Sequence, residues 1–292
     1  MTDIKEVFKD AILARRQKLT PDQQRLLKER LDGRFSQSIS QGLLAEIDNQ
    51  INIARLKYGK TPLERLEESI AILKGGPKPL NADPRQVANA LYFPGLSAKP
   101  WHEPEDFDWV PKMEAAFVTI RSELLRLLDQ EAEFNPYQHP YTKELGWKGW
   151  GTYSFYRTNK WDEEHCALCP ETLKAINQTP HGLRECMFTR LLPGSHITPH
   201  SGGSNVVLTC HLGLIIPSGC EIRVDNEIRT WQESKCLIFD DSYMHEVWHR
   251  GNEIRTVLLW DIWHPDLTDI EKSILTMIFP IIDKYLENIA KV

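Results

Sequence analysis

The 292-residue sequence predicts an α+β protein, an antiparallel β-barrel wrapped by helices and preceded by a helical extension. Three observations predict it. Apolar residues recur at helical spacing from Ile4 to Leu73,. From Cys186 onward the pattern changes to short runs of Val, Ile, Leu and Thr, broken at Pro193-Gly194, Ser201-Gly202-Gly203, Ser218-Gly219, Asp225-Asn226 and Gly251-Asn252. Strand runs separated this closely by turn residues suit an antiparallel barrel or sandwich. Between the two regimes lies Gly75-Gly76-Pro77-Lys78-Pro79, which stops any helix and marks the best boundary in the chain,. Residues 1–76 are therefore expected to form an N-terminal helical region and 85–292 the barrel domain.

The elements follow in order. Ile4, Val7, Phe8, Ala11 and Ile12 share a helical face,. Thr20-Pro21 opens a second helix as N-cap and first-turn proline, with Leu26, Leu27 and Leu31 on one side and Gly33 as its stop,. A third carries Leu44, Ile47, Ile51 and Ala54 and ends near Gly59, and Thr61-Pro62-Leu63-Glu64 reads as the capping box of a fourth,. Such amphipathic helices bury their apolar face, on the main domain or on another protein. Trp109 to Glu131 reads as one continuous helix, and Thr268-Asp269-Ile270-Glu271 as the capping box of a terminal one carrying Ile274, Ile278, Ile281 and Tyr285,.

Composition narrows the function. A formal net charge of −6 with no basic stripe argues against a nucleic-acid footprint,. No apolar run reaches the roughly 20 residues of a membrane helix, and Met1-Thr2-Asp3-Ile4-Lys5-Glu6 lacks the parts of a signal peptide,. The expected compartment is the cytoplasm, where six cysteines stay reduced,. Cys166 and Cys169 with His165 invite a zinc reading, but no second CxxC supplies the remaining ligands, so free thiols are expected,.

The chemistry is concentrated in three stretches. Pro199-His200-Ser201-Gly202 and Tyr243-Met244-His245-Glu246 place two histidines on separate strand-like segments, and Arg255 opens the apolar run Thr256-Val257-Leu258-Leu259-Trp260. A buried guanidinium is costly unless it meets an anion, and a ligand carboxylate held by its fork would satisfy it. Strand alternation puts Val207, Thr209 and His211 on one face, looking into the barrel mouth, with Leu208, Cys210 and Leu212 on the other,. Non-haem iron oxygenases commonly use two histidines and one carboxylate. Here the carboxylate position, two residues after His200, is Gly202. His196 is the rival ligand, and His264 is expected to be structural.

These stretches, with Pro94-Gly95-Leu96-Ser97-Ala98-Lys99-Pro100-Trp101, Leu192-Pro193-Gly194-Ser195-His196, the run from His211 to Pro217 and Trp260-Asp261-Ile262-Trp263-His264-Pro265, resemble the aspartyl/asparaginyl β-hydroxylase family. The resemblance runs from about Tyr92 to Leu267. It implies a double-stranded β-helix (jelly-roll) dioxygenase dependent on Fe(II) and 2-oxoglutarate, in which glycine replaces the carboxylate ligand. Carried over residue by residue, His200 and His245 would ligate the metal. Arg255, with Thr189 where the family has a serine, would hold the distal carboxylate of 2-oxoglutarate. His211 would contact the cosubstrate near the metal, and Asp240 or Asp241 would orient the metal's water or a ligand histidine. Members acting on aspartyl residues carry two arginines on the strand before His211, where this chain has Val207 and Thr209. Arg190 or Arg157 could compensate, and Tyr156 falls where such proteins place an aromatic near the substrate.

The expected activity is hydroxylation of an amino-acid-like group at an unactivated carbon, the β-carbon above all, on a small molecule, a peptide or a carrier protein. The stretch from Ile12 to Leu27 is weakly similar to helical segments at module edges of nonribosomal peptide synthetases, which points to natural-product biosynthesis. The alternatives are a lipid acyl-chain hydroxylase and a non-catalytic carboxylate-binding scaffold.

Overall fold

A computed structural model describes residues 41–88, 90–137, 148–157 and 160–290. The helices expected before Gly33 lie outside these residues. Helix α1 (Gln41–Tyr58) buries Leu43, Ile47, Ile51 and Ala54 on one stripe, and α2 (Glu64–Leu73) buries Leu66 and Ile70. The capping box expected at Thr61 does not form. Residues Thr61–Leu63 make a 3-10 turn whose N-cap is Lys60, so the threonine lies inside the turn and its hydroxyl caps nothing.

Helix α3 (Val110–Ala115) and helix α4 (Phe117–Asp129) replace the single helix expected from Trp109 to Glu131. The axis breaks at Ala116, where ψ relaxes to −3°. With the break, Met113 of α3 and Ile120, Leu124 and Leu127 of α4 all reach one core cluster. Helix α5 (Glu163–Leu168) starts on Asp162, whose carboxylate accepts from His165 N at 3.0 Å. Helix α6 (Pro170–Ile176) is capped from another element: buried Glu123 accepts from the amides of Glu171 and Thr172, both at 2.9 Å. An anion at the positive end of a helix dipole is favourable.

The terminal helix α7 (Asp269–Ala290) does begin with a capping box, Thr268 N donating to Glu271 Oε2 at 2.8 Å and Glu271 N to Thr268 Oγ1 at 3.3 Å. Glu271 also receives Arg65 of α2 at 2.6 and 2.9 Å, tying the early helices to the end of the chain. Ile47, Ile51, Leu66 and Ile70 share one cluster with Ile274, Ile278, Phe93, Val207 and Trp263.

An eight-stranded antiparallel sheet runs β1 (Trp101–His102), β10 (Cys236–Phe239), β7 (Val207–Ile215), β12 (Arg255–Trp263), β5 (His181–Leu191), β3 (Trp150–Arg157) and β2 (Asn135–Pro136), with β4 (Lys160–Trp161) paired onto β3. A four-stranded sheet runs β6 (His196–His200), β11 (His245–His249), β8 (Cys220–Val224) and β9 (Glu227–Arg229). Leu208, Cys210, Leu212, Leu258, Trp260 and Ile262 face the helices from the outer side of the large sheet. Leu191, Val257, Ile197, Ile222, Val224 and Val247 fill the space between the sheets. Alternation along each strand thus builds a three-layer molecule, helices on a large sheet on a small one. Two facing antiparallel sheets of this order form a jelly-roll, a double-stranded β-helix, as the resemblance implies. Among the described residues no helix is long and apolar enough to cross a membrane.

Candidate active site

His200 ends β6 and His245 begins β11, and the two are register partners in the small sheet. Their ring centroids stand 3.9 Å apart. Each ring is oriented by its own backbone: His200 Nδ1 bonds Thr198 O at 2.9 Å and His245 Nδ1 bonds Tyr243 O at 3.0 Å. A carbonyl only accepts, so both Nδ1 atoms carry the proton and both Nε2 atoms keep a lone pair. Carbonyl-oriented imidazoles are the usual form of metal-ligating histidine. Burial pulls His245 down to about 4, so the ring is neutral at pH 7,. His196, the rival ligand, turns away: its Nε2 meets Glu246 at 2.6 Å and its ring stacks on Trp248.

Gly202 lies directly against Asp241, accepting residue of its amide at 2.6 Å. A Cβ at position 202 would fall on the Asp241 carboxylate, well inside the 3.0 Å that real Cβ atoms keep. Asp241 Oδ1 has no partner, and burial first, then neighbouring Asp240, pushes the carboxyl up to about 8. The two candidate aspartates therefore separate. Asp240 is a scaffold group, accepting from Gln86 Nε2 at 2.6 Å and Ser242 N at 2.9 Å. Asp241 carries the carboxyl with the unpartnered Oδ1, seated against Gly202 two residues after His200.

Phe239 touches both His245 and His211, at 5.6 and 5.4 Å between centroids. Beyond it lies the basic end of the site. Arg255 is 2% exposed, donates from Nη1 to Thr189 Oγ1 at 3.2 Å, and leaves Nε without an acceptor. Among the described residues no carboxylate forms an ion pair with it. Burial alone lowers its pKa to about 10. His211 is buried beside it, with Nδ1 accepting from Trp231 Nε1 at 3.1 Å and Nε2 unpartnered. The guanidinium lies over the Trp231 ring, 4.6 Å from its centroid. All five residues singled out from sequence, His200, His245, Arg255, Thr189 and His211, thus converge on the space between the sheets.

The remaining wall differs from expectation. Tyr156 is in the helix-side cluster with Tyr153 and Phe155, because a register shift between Ser154 and Tyr156 turns it outward. Arg190 alternates with chamber-facing Thr189, and its guanidinium sits over Phe134, 4.9 Å from the ring,. Arg157 is engaged with Glu185 at 3.7 Å and lies over the Tyr137 ring. Asp261, paired in register with Thr209, is 5% exposed and has an unpartnered Oδ1. Arg184, between Asp283 and the ring of Phe279, shares its field. Sequence reasoning missed Trp231, Arg184 and Asp261. A lone acid inside the apolar run of β12 was a signal of the same kind as Arg255. Trp231 offered none, standing in a polar turn before Gln232-Glu233-Ser234.

The donor set fits the groups the resemblance implies. Two imidazoles whose Nδ1 protons are held by carbonyls, leaving the lone pairs on Nε2, suit a divalent metal with open positions,. The stranded Arg255 Nε and His211 Nε2 are buried donors that a carboxylate-bearing cosubstrate would satisfy. Cys166 and Cys169 form no disulfide. Among the described residues no three His, Cys, Asp or Glu side chains form a metal-holding group.

The jelly-roll core thus carries a paired-imidazole site and a buried arginine in one inter-sheet space. The family model for aspartyl/asparaginyl beta-hydroxylase matches residues 114–265, and the chain belongs to that family. It is 34% identical over 192 residues to the human aspartyl/asparaginyl beta-hydroxylase, covering 63% of this chain and 25% of that protein. It is 35% identical over 181 residues to the ornithine lipid ester-linked acyl 2-hydroxylase of Rhizobium tropici, covering 60% and 64%. Against the human aspartate beta-hydroxylase domain-containing protein 2 it is 32% identical over 222 residues, covering 68% and 57%. The chain thus spans a quarter of the first relative and under two thirds of the other two.

Proposed function

We propose that this chain is an Fe(II)- and 2-oxoglutarate-dependent hydroxylase of an unactivated carbon, the β-carbon of an amino-acid-like group. The observation that supports this most is the buried Arg255, lacking an acid partner, in the same inter-sheet space as the His200–His245 pair. In this reading His200 and His245 hold the metal through Nε2. Arg255 and the Thr189 hydroxyl hold the distal carboxylate, and His211 Nε2–H donates to a cosubstrate oxygen nearer the metal. Bound iron and 2-oxoglutarate supply the oxygen activation, with succinate and CO2 as by-products. The Asp241 carboxyl, seated against Gly202 where any side chain would collide with it, hydrogen-bonds water at the metal. Phe239 and the apolar inter-sheet residues exclude bulk water from the reacting centre,.

Substrate class follows from the wall. Thr209 offers no cation where aspartyl-acting members carry arginine, and Val207 packs among the helices rather than into the chamber, which favours a reacting group without a free β-carboxylate. An aminoacyl unit on a peptide or carrier protein, in natural-product biosynthesis, meets that condition. A lipid acyl chain meets it too, and the similarity to a lipid acyl 2-hydroxylase favours that second reading. The test begins with anaerobic addition of Fe(II) and 2-oxoglutarate. A visible charge-transfer band supports the proposal, and its absence sinks it. Mass spectrometry after aerobic turnover, with an aminoacyl carrier and an acyl lipid side by side, then reads which gains one oxygen.

A further inference from the structure

We propose that Trp231 is a positioning residue that fixes the tautomer of His211 and so decides that the cosubstrate recess presents only donors. This rests on the reading of Arg255 and His211 as cosubstrate anchors. An indole N–H donates and cannot accept. Its 3.1 Å bond to His211 Nδ1 therefore places a lone pair on Nδ1 and the ring proton on Nε2. The other tautomer would set two N–H groups against each other in a buried site. Nε2–H is left as a donor without an acceptor, as is Arg255 Nε. The same indole also lies under the Arg255 guanidinium, 4.6 Å from its centroid,. One side chain thus steers both anchors: its N–H sets the direction of one, and its π-face holds the other. Trp231 is 3% exposed, packed with Phe239 and Val257 between the sheets, which keeps the indole from rotating. The consequence is selectivity. A recess whose polar groups all donate accepts an oxygen-rich anion and rejects a ligand presenting a hydroxyl or amine donor at the His211 end.

Two variants separate the roles. Trp231→Phe keeps an aromatic face for Arg255 and removes the N–H, whereas Trp231→Leu removes both. The full chain, 15N-labelled at histidine, is read by long-range 1H–15N correlation without metal or cosubstrate, with His211 assigned from the spectrum of His211→Gln. Wild type is expected as the pure Nε2–H tautomer and Trp231→Phe as a mixture. Calorimetry of 2-oxoglutarate into the Zn(II)-loaded protein is expected to show about tenfold weaker binding for Trp231→Phe and about a hundredfold for Trp231→Leu, the cost of one and then two misplaced anchors. Zn(II) affinity should be unchanged in both. A wild-type His211 bearing its proton on Nδ1, or a Trp231→Phe protein with unchanged tautomer and unchanged affinity, overturns the proposal. Failure of the wild type to bind 2-oxoglutarate would instead reject the assignment of cofactor, leaving the tautomer result to be judged on its own spectrum.

Discussion

Replacing Arg255 with methionine should make the cosubstrate-free protein more stable and destroy its response to 2-oxoglutarate. Arg255 is 2% exposed and faces no carboxylate among the described residues. Burial lowers its pKa from the ordinary guanidinium value to about 10, which at about 1.4 kcal/mol per unit corresponds to roughly 3 kcal/mol of destabilisation carried by the charged group. Methionine forfeits the hydrogen bond to Thr189 and the stack on Trp231, together worth about 1–2 kcal/mol. The net gain should be about 1–2 kcal/mol. On the binding side, losing a buried charge-assisted fork costs about 2–5 kcal/mol, a weakening of about 30-fold or more. Urea unfolding of the Zn(II)-loaded protein, with and without saturating 2-oxoglutarate, reads both quantities. Wild type should gain stability from the ligand by mass action and Arg255→Met should gain almost none. An Arg255→Met protein that is less stable by more than about 1 kcal/mol, beyond the lost contacts above, would refute the reasoning. So would a variant still stabilised by the ligand.

Gly202→Ala should cost about 1–3 kcal/mol by driving a methyl into the Asp241 carboxylate,. Asp241→Ala should rescue most of that loss, and additive effects in the double-mutant cycle would show that the two residues do not touch. Asp261 is buried and its carboxyl is raised to about 7, from 3.8. The native state therefore keeps a proton that the unfolded chain has released, and the contribution of Asp261 to the stability of the metal-free protein should fall as pH rises from 4 to 7,. Asp261→Asn should remove up to about 1.4 kcal/mol per pH unit of that slope in urea titrations; an unchanged slope would count against it. Glu271→Ala removes the capping partner of Thr268 and the acceptor of Arg65 at once. A loss of about 3 kcal/mol is expected in chemical denaturation, and a loss under about 0.5 kcal/mol, the size of a surface change, would show that the early helices are not held this way.

Much of the fold was legible wherever a local period decides the outcome. Alternation in β7 separated Thr209 and His211 from Leu208, Cys210 and Leu212, and the sheets divide them in that way. The Thr268 capping box formed, since its apolar run starts directly after it. The Thr61 box did not, because a 3-10 turn took up the threonine and let α2 start at Glu64. The break at Ala116 was invisible, alanine being the best helix former; tertiary packing sets it. In the site, the histidines and Arg255 were recognisable from residue type and company. What joins them was not. The pairing of His200 with His245 is a register between distant strands, the separation of Asp240 from Asp241 depends on Gln86, and Trp231 reaches His211 from a turn. Each is a long-range contact that no local pattern encodes.

In the proposed site, two imidazoles, His200 and His245, would be the chain's whole contribution to the metal's coordination. Iron-edge X-ray absorption on the anaerobic Fe(II) protein with 2-oxoglutarate, compared across wild type, His200→Ala, His245→Ala and Asp241→Asn, tests it most directly. Two histidine nitrogens in wild type are expected, with the iron lost on removing either ring and the nitrogen count unmoved by Asp241→Asn. Iron retained without either histidine, or a carboxylate ligand that vanishes in Asp241→Asn, would contradict it.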